Sequence, residues 1–557
     1  MLSSDHNVAP NLTGLDDESR QMVLDTVARL KARLLTPEVI RDFDREERFP
    51  EEIVRTMLGS DIGLQLLFIP EDYGGMGGGA RDCCALTRAV AGICLGIATA
   101  FFAIQLGADP LIVGGTEAQK EKWLGAIAEG NSLVAYAVTE PGAGSNLAAL
   151  KTKAEPVFDA SGSLQGYRIN GSKQFISTGG YADFITLLAI TPEGPSFFVV
   201  EKGTPGFIQQ KGEEKHGIRA SNTSPLTFTD VFVPVENLIG GVPGQGLKQA
   251  NMVFGYTRLM VASMALGAGE AAISIAIPYA KDRIQFGSPL CEKQGYTHKL
   301  ILPHVVHFEA AASYLDEIAL RLDSGESDLQ VEGAIAKLFT SETANAAADD
   351  AMQALGGYGY IVEFGVEKIK RDVKITCIYE GTSEILQNII SMFRWKKTWK
   401  SKGAFYQSIA DEMDRLSQEA PRSGCRQYAF AASAVNATIL SAHEHRLTRN
   451  QHIMFCLADM MTYVEVGASL GRKAAGIAAS AADSRSLKTL AAARIFAAET
   501  VQLVYQNMQK ILVGTGLMSF RQFLELLNSL SYEQAMDAGS ETLQDMDSLA
   551  GIVFQTS

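Results

Sequence analysis

The stretch YAVTEPGAGSN, residues 136–146, marks a change from helical to β structure in this chain of 557 residues. Its first half is typical of a strand, and Pro141 with Gly142 then predicts a turn into a loop of small residues. The backbone amides of such a loop are not shielded by large side chains and can donate hydrogen bonds to a closely bound ligand. Taken alone, the stretch is more typical of a tight surface turn, since glycine-rich turns are common.

Further short runs rich in β-branched and aromatic residues surround this stretch, with Gly, Pro and Asp turn signals between them. They read LVAYAVTE, GYRINGSKQFIS, DFITLLAI, SFFVVEKG and LTFTDVFVP. Together they predict a β-barrel-like middle domain over residues 132–240.

Helical periodicity lies on both sides of this β region. Upstream, DESRQMVLDTVARLKARL and PEEIVRTMLGSDIG predict an N-terminal helical domain over residues 1–131, interrupted by the glycine cluster YGGMGGGA. Downstream, we expect a four-helix bundle over residues 241–395 and, beyond the basic stretch RWKKTWKSKG, an additional helical domain over residues 396–557. The predicted fold class is therefore α+β, mainly α.

Composition and charge restrict the classes of partner and location. With 63 acidic and 49 basic residues the formal net charge is −14, so we expect no nucleic-acid partner. The seven cysteines include no C-x-x-C pair and are expected to be reduced thiols. The N-terminal residues have neither the order of a secretory signal nor the Arg-rich character of a transit peptide, so we expect a cytoplasmic location.

The uncharged stretch 89–108 is long enough to span a bilayer. It is rich in Gly and Ala, contains Thr99 and Gln105, and lacks flanking aromatic belts. We therefore predict a helix or helix pair inside a large core.

Two weaker signals are assigned structural roles. Gly75, Gly77 and Ala80 fit the G-x-G-x-x-A fingerprint of dinucleotide sites, but no convincing strand precedes them, so we expect a surface loop. The histidine pairs 304/307 and 443/445 lack the H-E-x-x-H spacing and a third clustered ligand, so we expect no metal site.

Four further motifs accompany the first one along the chain. They are FISTGG at 175–180, RIQFG at 283–287 with Gln294 after it, QALGGYGY at 353–360 and CIYEGTSEI at 377–385. This ordered set resembles the acyl-CoA dehydrogenase family, flavoenzymes that introduce a trans double bond between the α and β carbons of an acyl-CoA thioester. The resemblance covers roughly residues 20–395. The C-terminal helical region resembles the extension of the very-long-chain branch.

The resemblance implies a base for the reaction. Glu380 would take the α-proton while the β-carbon passes hydride to N5 of FAD, giving the trans-2-enoyl-CoA. Removal of such a proton needs a nearby, desolvated carboxylate. The family also uses the backbone N–H of the base residue as a donor to the thioester oxygen. An isolated Glu-Gly pair would be read instead as a turn or capping carboxylate.

The resemblance also implies the binding residues. Substrate contacts fall on Ser145, Tyr256, Arg258 and Gly381. Some cofactor contacts, those of Arg283, Phe286, Gln294 and the segment 353–357, would reach the FAD of a neighbouring subunit, which implies at least a dimer. The cofactor-binding set is Tyr136, Val138, Thr139, Gly144, Ser145, Phe175, Ile176, Ser177, Arg283, Phe286, Gln294, Gln353, Gly356, Gly357, Thr382, Ser383 and Glu384.

The chain departs from a common family pattern at Phe175 and Gly255, and at Thr257 it lacks a residue that only some branches have. Phe175 stands where many members have Trp, which keeps a stacking face but loses an indole N–H. Thr257 precedes Arg258 where some branches place their glutamate, so this position supplies no competing base. Gly255 replaces an acidic residue that is common in several branches, which leaves a contact with the pantetheine in doubt.

The resemblance leaves several alternatives open. Electrons would pass to an electron-transferring flavoprotein, but an acyl-CoA oxidase shares the base and the fold, and a non-catalytic assembly protein can be built on the same scaffold. Peripheral association of the extension with the inner face of the membrane is an alternative to its packing on the dehydrogenase core. Phe101 and Phe102 would shorten the acyl tunnel, so we expect an acyl substrate shorter than the extension suggests. The variant Phe102→Gly should then accept a longer acyl chain.

Overall fold

The described part of the chain begins with helices because capping residues and amphipathic spacing favour them. Asp16 accepts a hydrogen bond from the backbone N–H of Ser19 at 2.7 Å, and acidic residues occupy the first turn that follows. The first six helices are α1 (Asp17–Arg33), α2 (Pro37–Glu46), α3 (Glu51–Leu58), α4 (Ala80–Ala91), α5 (Leu95–Gly114) and α6 (Glu117–Ala128).

The computed structural model describes residues 14–130, 132–326, 328–478 and 483–555. Its contacts divide the chain into two compact units. The first contains the described residues of Met1–Ala268, Ala319–Gln330 and Arg371–Ile375, and the second those of Gly269–Ile318, Val331–Lys370 and Thr376–Ser557. The predicted fold class, mainly helical with one β domain, is confirmed. The four-domain division stays a prediction.

The β region of the first unit forms one seven-stranded sheet in the order β1-β4-β2-β3-β7-β6, with β5 paired to β4. β1 runs parallel to β4, with Tyr136 opposite Thr186, whereas β3 and β7 are antiparallel. The strands are β1 (Val134–Ala137), β2 (Lys153–Phe158), β3 (Leu164–Ser177), β4 (Phe184–Thr191), β5 (Gly194–Glu201), β6 (Phe207–Gln209) and β7 (Thr223–Pro234).

Apolar side chains from alternate strand positions build the core of this sheet. Ile185, Leu187 and Phe198 are fully buried in it, and the ring of Tyr167 packs edge-on against Phe198 with 5.0 Å between centroids. This core supports the loops that carry the first predicted motifs.

The helices after the sheet range from 37 residues down to 7. They are α7 (Gly246–Asp282), α8 (Gln294–Leu300), α9 (Leu302–Asp323), α10 (Gln330–Leu355), α11 (Val366–Val373) and α12 (Ser383–Lys400). A small hairpin of β8 (Ile284–Gln285) and β9 (Ser288–Pro289) separates α7 from α8.

The described residues of the C-terminal extension form helices joined by short turns, as expected. Its helices are α13 (Ala404–Glu419), α14 (Cys425–Glu444), α15 (Gln451–Ala478), α16 (Ser484–Met508), α17 (Phe520–Ser529), α18 (Tyr532–Ala538) and α19 (Thr542–Gln555). Arg394 of α12 anchors the extension through Glu465 of α15, because its guanidinium lies 2.8 Å from the Glu465 carboxylate with both side chains buried.

Three of the described helices, α5, α7 and α15, are long and apolar enough to cross a membrane by length and composition alone. The protein itself buries 83%, 72% and 83% of their most apolar windows, respectively. The stretch 89–108 corresponds to the end of α4 and most of α5, which agrees with the expected helix pair in a core.

The glycine cluster before α4 packs against the chain that precedes it. Its amides at Gly77 and Gly78 donate to the carbonyls of Ile69 and Leu67 at 3.0 and 2.8 Å. Asp323 accepts hydrogen bonds from the first amides of α4, with 2.5 Å between its Oδ1 and the nitrogen of Ala80. The start of α4, where a dinucleotide phosphate would bind, is thus occupied by a carboxylate of the protein.

Candidate functional site

The loop that follows β1 is exposed and consists of small residues. Two hydrogen bonds between Glu140 and Ala143, of 3.2 and 3.1 Å, close a tight turn. Gly142 and Gly144 are exposed, and a Cβ added to either would meet no described atom within 4 Å. The space over this backbone is therefore open to a ligand, as the motif predicts for Gly144 and Ser145.

A buried ion pair that the sequence reasoning missed supports this loop. The ammonium of Lys173 in β3 donates to the carbonyl of Val138 at 3.0 Å and to Oε1 of Glu140 at 2.9 Å. Glu140 also accepts hydrogen bonds from the amides of Lys151 and Thr152 at 2.7 and 3.0 Å. The pair thus holds both ends of the loop on the sheet.

Both members of the pair are charged at neutral pH. Burial lowers the pKa of Lys173 to about 8, although Glu140 opposes the shift. Burial alone would raise the pKa of Glu140, but hydrogen bonds from Thr152 and Lys173, with the lysine charge, hold it below its ordinary value. An ammonium and a carboxylate therefore face each other inside the protein.

The second motif lies beside this loop. The amide of Gln174 donates to the carbonyl of Thr139 at 2.9 Å, and β3 shifts its register with β7 at this point. Phe175 adopts a positive φ of 60° and exposes 63% of its surface, whereas Ile176 is buried and Ser177 half-buried. The bulge therefore turns the Phe175 ring outward, next to the small-residue loop.

The predicted substrate residues of α7 lie close to Tyr136. The ring of Phe254 packs edge-on against Tyr136 with 6.5 Å between centroids, and the buried guanidinium of Arg258 lies 5.8 Å from the Phe254 centroid. Tyr256 directs its hydroxyl toward α5, where it accepts a hydrogen bond from Gln105 at 3.0 Å. Burial raises the pKa of Tyr256 well above its ordinary value, so this hydroxyl stays protonated.

The two phenylalanines expected to narrow the acyl tunnel are buried in the first unit. The rings of Phe101 and Phe102 meet edge-on with 5.0 Å between centroids, and Phe68 packs against Phe101 at 6.0 Å. Phe102 is 6% exposed and Phe101 is fully buried. The two rings therefore occupy core volume beside the middle of α5.

The predicted base lies in a turn with an uncommon backbone conformation. Glu380 has a φ of 55°, and Gly381 follows with a φ of 101°. A positive φ is uncommon for a residue with a side chain and often marks a functional site. Glu380 is half-buried, and the turn ends where Thr382 caps α12, its hydroxyl accepting from the amide of Ile385 at 3.4 Å.

The residues expected near the adenosine half of FAD begin α12. The hydroxyl of Ser383 donates to Glu342 of α10, and Glu384 is an exposed acidic residue in the first turn. The ammonium of Lys337, also in α10, donates to the carbonyl of Gly381 at 2.7 Å. Lys337 is a second buried lysine that the sequence reasoning missed.

Some of the residues expected to reach a neighbouring subunit's cofactor line a pocket in the second unit. This pocket has a volume of about 600 Å³ and is lined by Arg283, Gln353, Gly356 and Gly357, with the ring of Tyr358 at its edge. A Cβ added to either glycine would meet no described atom within 4 Å. The guanidinium and the open backbone together suit a pyrophosphate.

Phe286 and Gln294 do not line this pocket. Phe286 lies between β8 and β9 with a φ of 51° and 98% of its surface exposed. Gln294 donates instead to Asp547 of α19 at 2.8 Å, so the extension engages one of the predicted cofactor residues. Other apolar side chains exposed in this part of the second unit are Ile284, Tyr358, Tyr360, Ile361, Val362 and Phe364.

The site residues thus form two groups, one in each unit. In the first unit the structure brings together the loop 136–146, the segment 175–177 and the part of α7 around Phe254. In the second unit it brings together Arg283 with Gln353, Gly356 and Gly357, and separately assembles the turn 377–383. The described residues contain no group of three or more His, Cys, Asp or Glu side chains that would hold a metal ion.

Three family models match the chain. The model of the N-terminal domain of acyl-CoA dehydrogenases matches residues 17–131, that of the middle domain 135–231, and that of the C-terminal domain 244–393. The matches cover the β sheet and every predicted motif.

Similar sequences include two bacterial proteins. Acryloyl-CoA reductase (NADH) of Anaerotignum propionicum is 37% identical over 376 residues, which are 67% of this chain and 93% of that protein. The short-chain-specific acyl-CoA dehydrogenase of Megasphaera elsdenii is 37% identical over 384 residues, 67% of this chain and 96% of that protein.

Two solved structures extend the comparison. A chain from the structure of the electron transferring flavoprotein of Acidaminococcus fermentans matches 70% of this chain and 98% of its own length, with a TM-score of 0.63 and 32% identity. An acyl-CoA dehydrogenase complexed with FAD from Bacillus anthracis matches 99% of this chain and 98% of its own length, with a TM-score of 0.82. This score and coverage show that the fold is shared, extension included, and at 23% identity the match shows the fold alone.

Proposed function

The chain belongs to the acyl-CoA dehydrogenase family, and we propose that it removes hydrogen from the α and β carbons of an acyl-CoA thioester, with Glu380 as the base. The observation that carries this proposal is the backbone of Glu380, whose φ of 55° is maintained between an ordered turn and the capped start of α12. A carboxylate fixed in this way is suited to proton transfer at a defined atom.

FAD is the cofactor of this proposal, and when bound it supplies the acceptor for the β-hydride. The residues present fit such a group. The open backbone at Gly142 and Gly144 and the outward ring of Phe175 offer amide donors and a stacking face in the first unit. In the second unit Arg283 and the two glycines of the 600 Å³ pocket offer a cation and donors for phosphate.

The other roles in the reaction, proton transfer and substrate binding, would fall to residues of the chain. The Glu380 carboxylate would accept the α-proton, and its backbone N–H would donate to the thioester oxygen, where one such donor contributes roughly 3–4 kcal/mol to catalysis. Thr257 carries no carboxylate, so the alternative position for a base is not filled. Arg258 and Tyr256 would line the path of the pantetheine.

The proposed substrate is a short or medium saturated acyl-CoA. The buried rings of Phe101 and Phe102 occupy core volume beside α5, and this supports a short acyl tunnel. The short-chain-specific relative of Megasphaera elsdenii agrees with this proposal. The extension resembles that of the very-long-chain branch. In this proposal it stabilises the packing of the protein and does not set the length of the acyl chain, and the buried ion pair of Arg394 and Glu465 supports such a role.

The proposed partners are a second copy of the chain and an electron-transferring flavoprotein. An unusually exposed Phe286 and the apolar residues around it support contact with a second copy, because isolated proteins rarely expose such patches. The structural similarity to a chain from the structure of an electron transferring flavoprotein supports the second partner.

The test is the visible spectrum of the purified protein, recorded without oxygen during titration with butyryl-, octanoyl- and palmitoyl-CoA. Bound flavin should bleach with the shorter substrates in the wild type but not in Glu380→Gln. Glu193→Gln, which changes an exposed glutamate in the turn between β4 and β5, should behave as wild type. Rapid reoxidation by air would favour an oxidase, and flavin that no acyl-CoA reduces would favour an assembly protein.

A further inference from the structure

Lys337 lies in the middle of α10 with its side chain fully buried. Its ammonium donates a hydrogen bond of 2.7 Å to the carbonyl oxygen of Gly381, the residue that follows Glu380. A lysine is almost never fully buried unless its charge is partnered, because burying the charge costs free energy. We therefore expect the contact of this ammonium with Gly381 to have a structural role.

The turn that Lys337 contacts needs such support. Glu380 and Gly381 have consecutive positive φ angles of 55° and 101°, a conformation that persists only when the surroundings impose it. A charged donor bonds a carbonyl more strongly than a neutral one, and it fixes the peptide plane directly after the base.

Other residues of α10 contact the same turn on either side. Asn345 donates through Nδ2 to the sulfur of Cys377 at 3.0 Å, and Glu342 accepts from the hydroxyl of Ser383. One helix thus contacts the turn before, within and after the Glu380–Gly381 pair. Of these contacts, that of Lys337 lies nearest to Glu380 in the chain.

We propose that Lys337 is a positioning residue for Glu380. By fixing the Gly381 carbonyl it sets the backbone angles of Glu380, and with them the direction of the carboxylate and of the N–H that faces the thioester oxygen. The inference rests on the proposed function of Glu380. Lys337 itself need not touch the substrate.

The variant that tests this role is Lys337→Met, which keeps the length of the side chain and removes the donor. Thr340→Val is the matched control, because Thr340 is buried in the same helix and its hydroxyl has no hydrogen-bond partner among the described residues. Both variants change one buried polar group of α10, and only the first one changes the turn.

Three quantities are measured: flavin content, the rate of anaerobic bleaching at saturating acyl-CoA, and the amide hydrogen exchange of a peptide covering residues 378–382. Lys337→Met should retain flavin and bind acyl-CoA with an affinity close to that of wild type. Its bleaching rate should fall by about 10- to 100-fold, as expected when a catalytic group is misplaced. Its turn should exchange faster, and Thr340→Val should resemble wild type in all three quantities.

Lys337→Gln provides a second variant if the methionine variant does not fold. Its shorter amide donor should give a bleaching rate between those of wild type and a variant without a donor. A wild-type bleaching rate in a folded Lys337 variant, or unchanged exchange at 378–382, would overturn the inference. If no acyl-CoA bleaches wild-type flavin, the proposed function fails, whereas the exchange measurement still shows whether Lys337 fixes the turn.

Discussion

The ammonium of Lys173 lies 2.9 Å from a carboxylate oxygen of Glu140, with the two side chains 0% and 5% exposed. Lys173 belongs to the strand that carries Phe175, and Glu140 to the loop that carries Gly142 and Gly144. The pair therefore links the two segments of the first unit that are proposed to contact the flavin.

Lys173→Met should destabilise the protein and release flavin. The substitution leaves the Glu140 carboxylate buried without its cation, and breaking a buried pair in this way costs about 3–5 kcal/mol. Chemical denaturation should show the loss in the free energy of unfolding, and the visible absorbance of the purified protein should show the reduced flavin content.

The control for this change is Lys153→Met, which removes an exposed lysine from β2 of the same sheet. It should alter the free energy of unfolding by less than about 0.5 kcal/mol. Equal effects of the two variants would show that the buried pair has no special role in the loop.

The contribution of Glu140 should depend on pH in a defined direction. Hydrogen bonds from Thr152 and Lys173, with the lysine charge, outweigh burial and hold the Glu140 pKa below its ordinary value of 4.5. A carboxylate whose pKa is lower in the folded than in the unfolded state stabilises the fold above the unfolded-state pKa, and this stabilisation disappears as the pH falls toward the folded-state pKa. The difference in free energy of unfolding between wild type and Glu140→Gln should therefore shrink as the pH falls below 4.5.

Urea denaturation from neutral pH down to about pH 3.5 measures this difference. Glu193→Gln provides the comparison, since Glu193 is exposed and its substitution should leave the difference from wild type unchanged across this range. A wild-type advantage over Glu140→Gln that persists undiminished in acid would contradict the assignment.

Local patterns in the sequence predicted most of the fold. β3 and β7 alternate apolar and polar residues over part of their length, and β4 is a nearly continuous apolar run, so these strands are visible without a structure. β2 was not among the predicted runs because Pro156 interrupts it, and β6 was not because it has only three residues. Pairing with β3 stabilises β2 and pairing with β7 stabilises β6, so these two strands depend on a partner strand and not on a pattern of their own.

The site residues also fall into two classes, those that local sequence patterns predict and those that depend on tertiary contacts. The segments that would face the ligands are short contiguous motifs, so the sequence shows them directly. Lys173 and Lys337 were missed because their partners lie far away in the sequence. Lys173 is 33 residues from Glu140, and Lys337 is 44 residues from Gly381. In a strand or helix pattern a lysine predicts an exposed face, and only tertiary packing shows that these two are buried.

Substitution of Phe102 should change the length of the acyl chain that the protein accepts. Phe102→Ala removes a ring that is 6% exposed and packs edge-on against Phe101, so it opens volume in the middle of α5 without the added helix penalty of glycine. The ratio of bleaching rates with palmitoyl-CoA and butyryl-CoA should rise. Leu111→Ala, in the last part of the same helix, should not change this ratio, and an unchanged ratio in Phe102→Ala would exclude the ring as the limit of the tunnel.

Phe286 should be needed for dimer formation and for flavin retention. Its side chain is 98% exposed beside the pocket that contains Arg283, so Phe286→Ser should weaken association between copies and lower the flavin content together. Sedimentation velocity and the visible absorbance measure the two effects. Phe232→Ser, which changes a 41% exposed ring in β7, is the matched control, and a fully dimeric Phe286→Ser protein with normal flavin would contradict the role.

Arg394 should be the main anchor between α12 and the C-terminal extension. Its guanidinium lies 2.8 Å from Glu332 of α10 and 2.8 Å from Glu465 of α15, and Tyr406 of α13 donates to Glu465 at 2.8 Å. Arg394→Met leaves two carboxylates buried without a cation, so the free energy of unfolding should fall by about 3–5 kcal/mol. Arg415→Met removes an ion pair to Glu419 whose side chains are 60% and 57% exposed, and it should cost at most about 0.5 kcal/mol. If Arg394→Met cost no more than Arg415→Met in chemical denaturation, the apolar contacts of α15 alone would have to attach the extension.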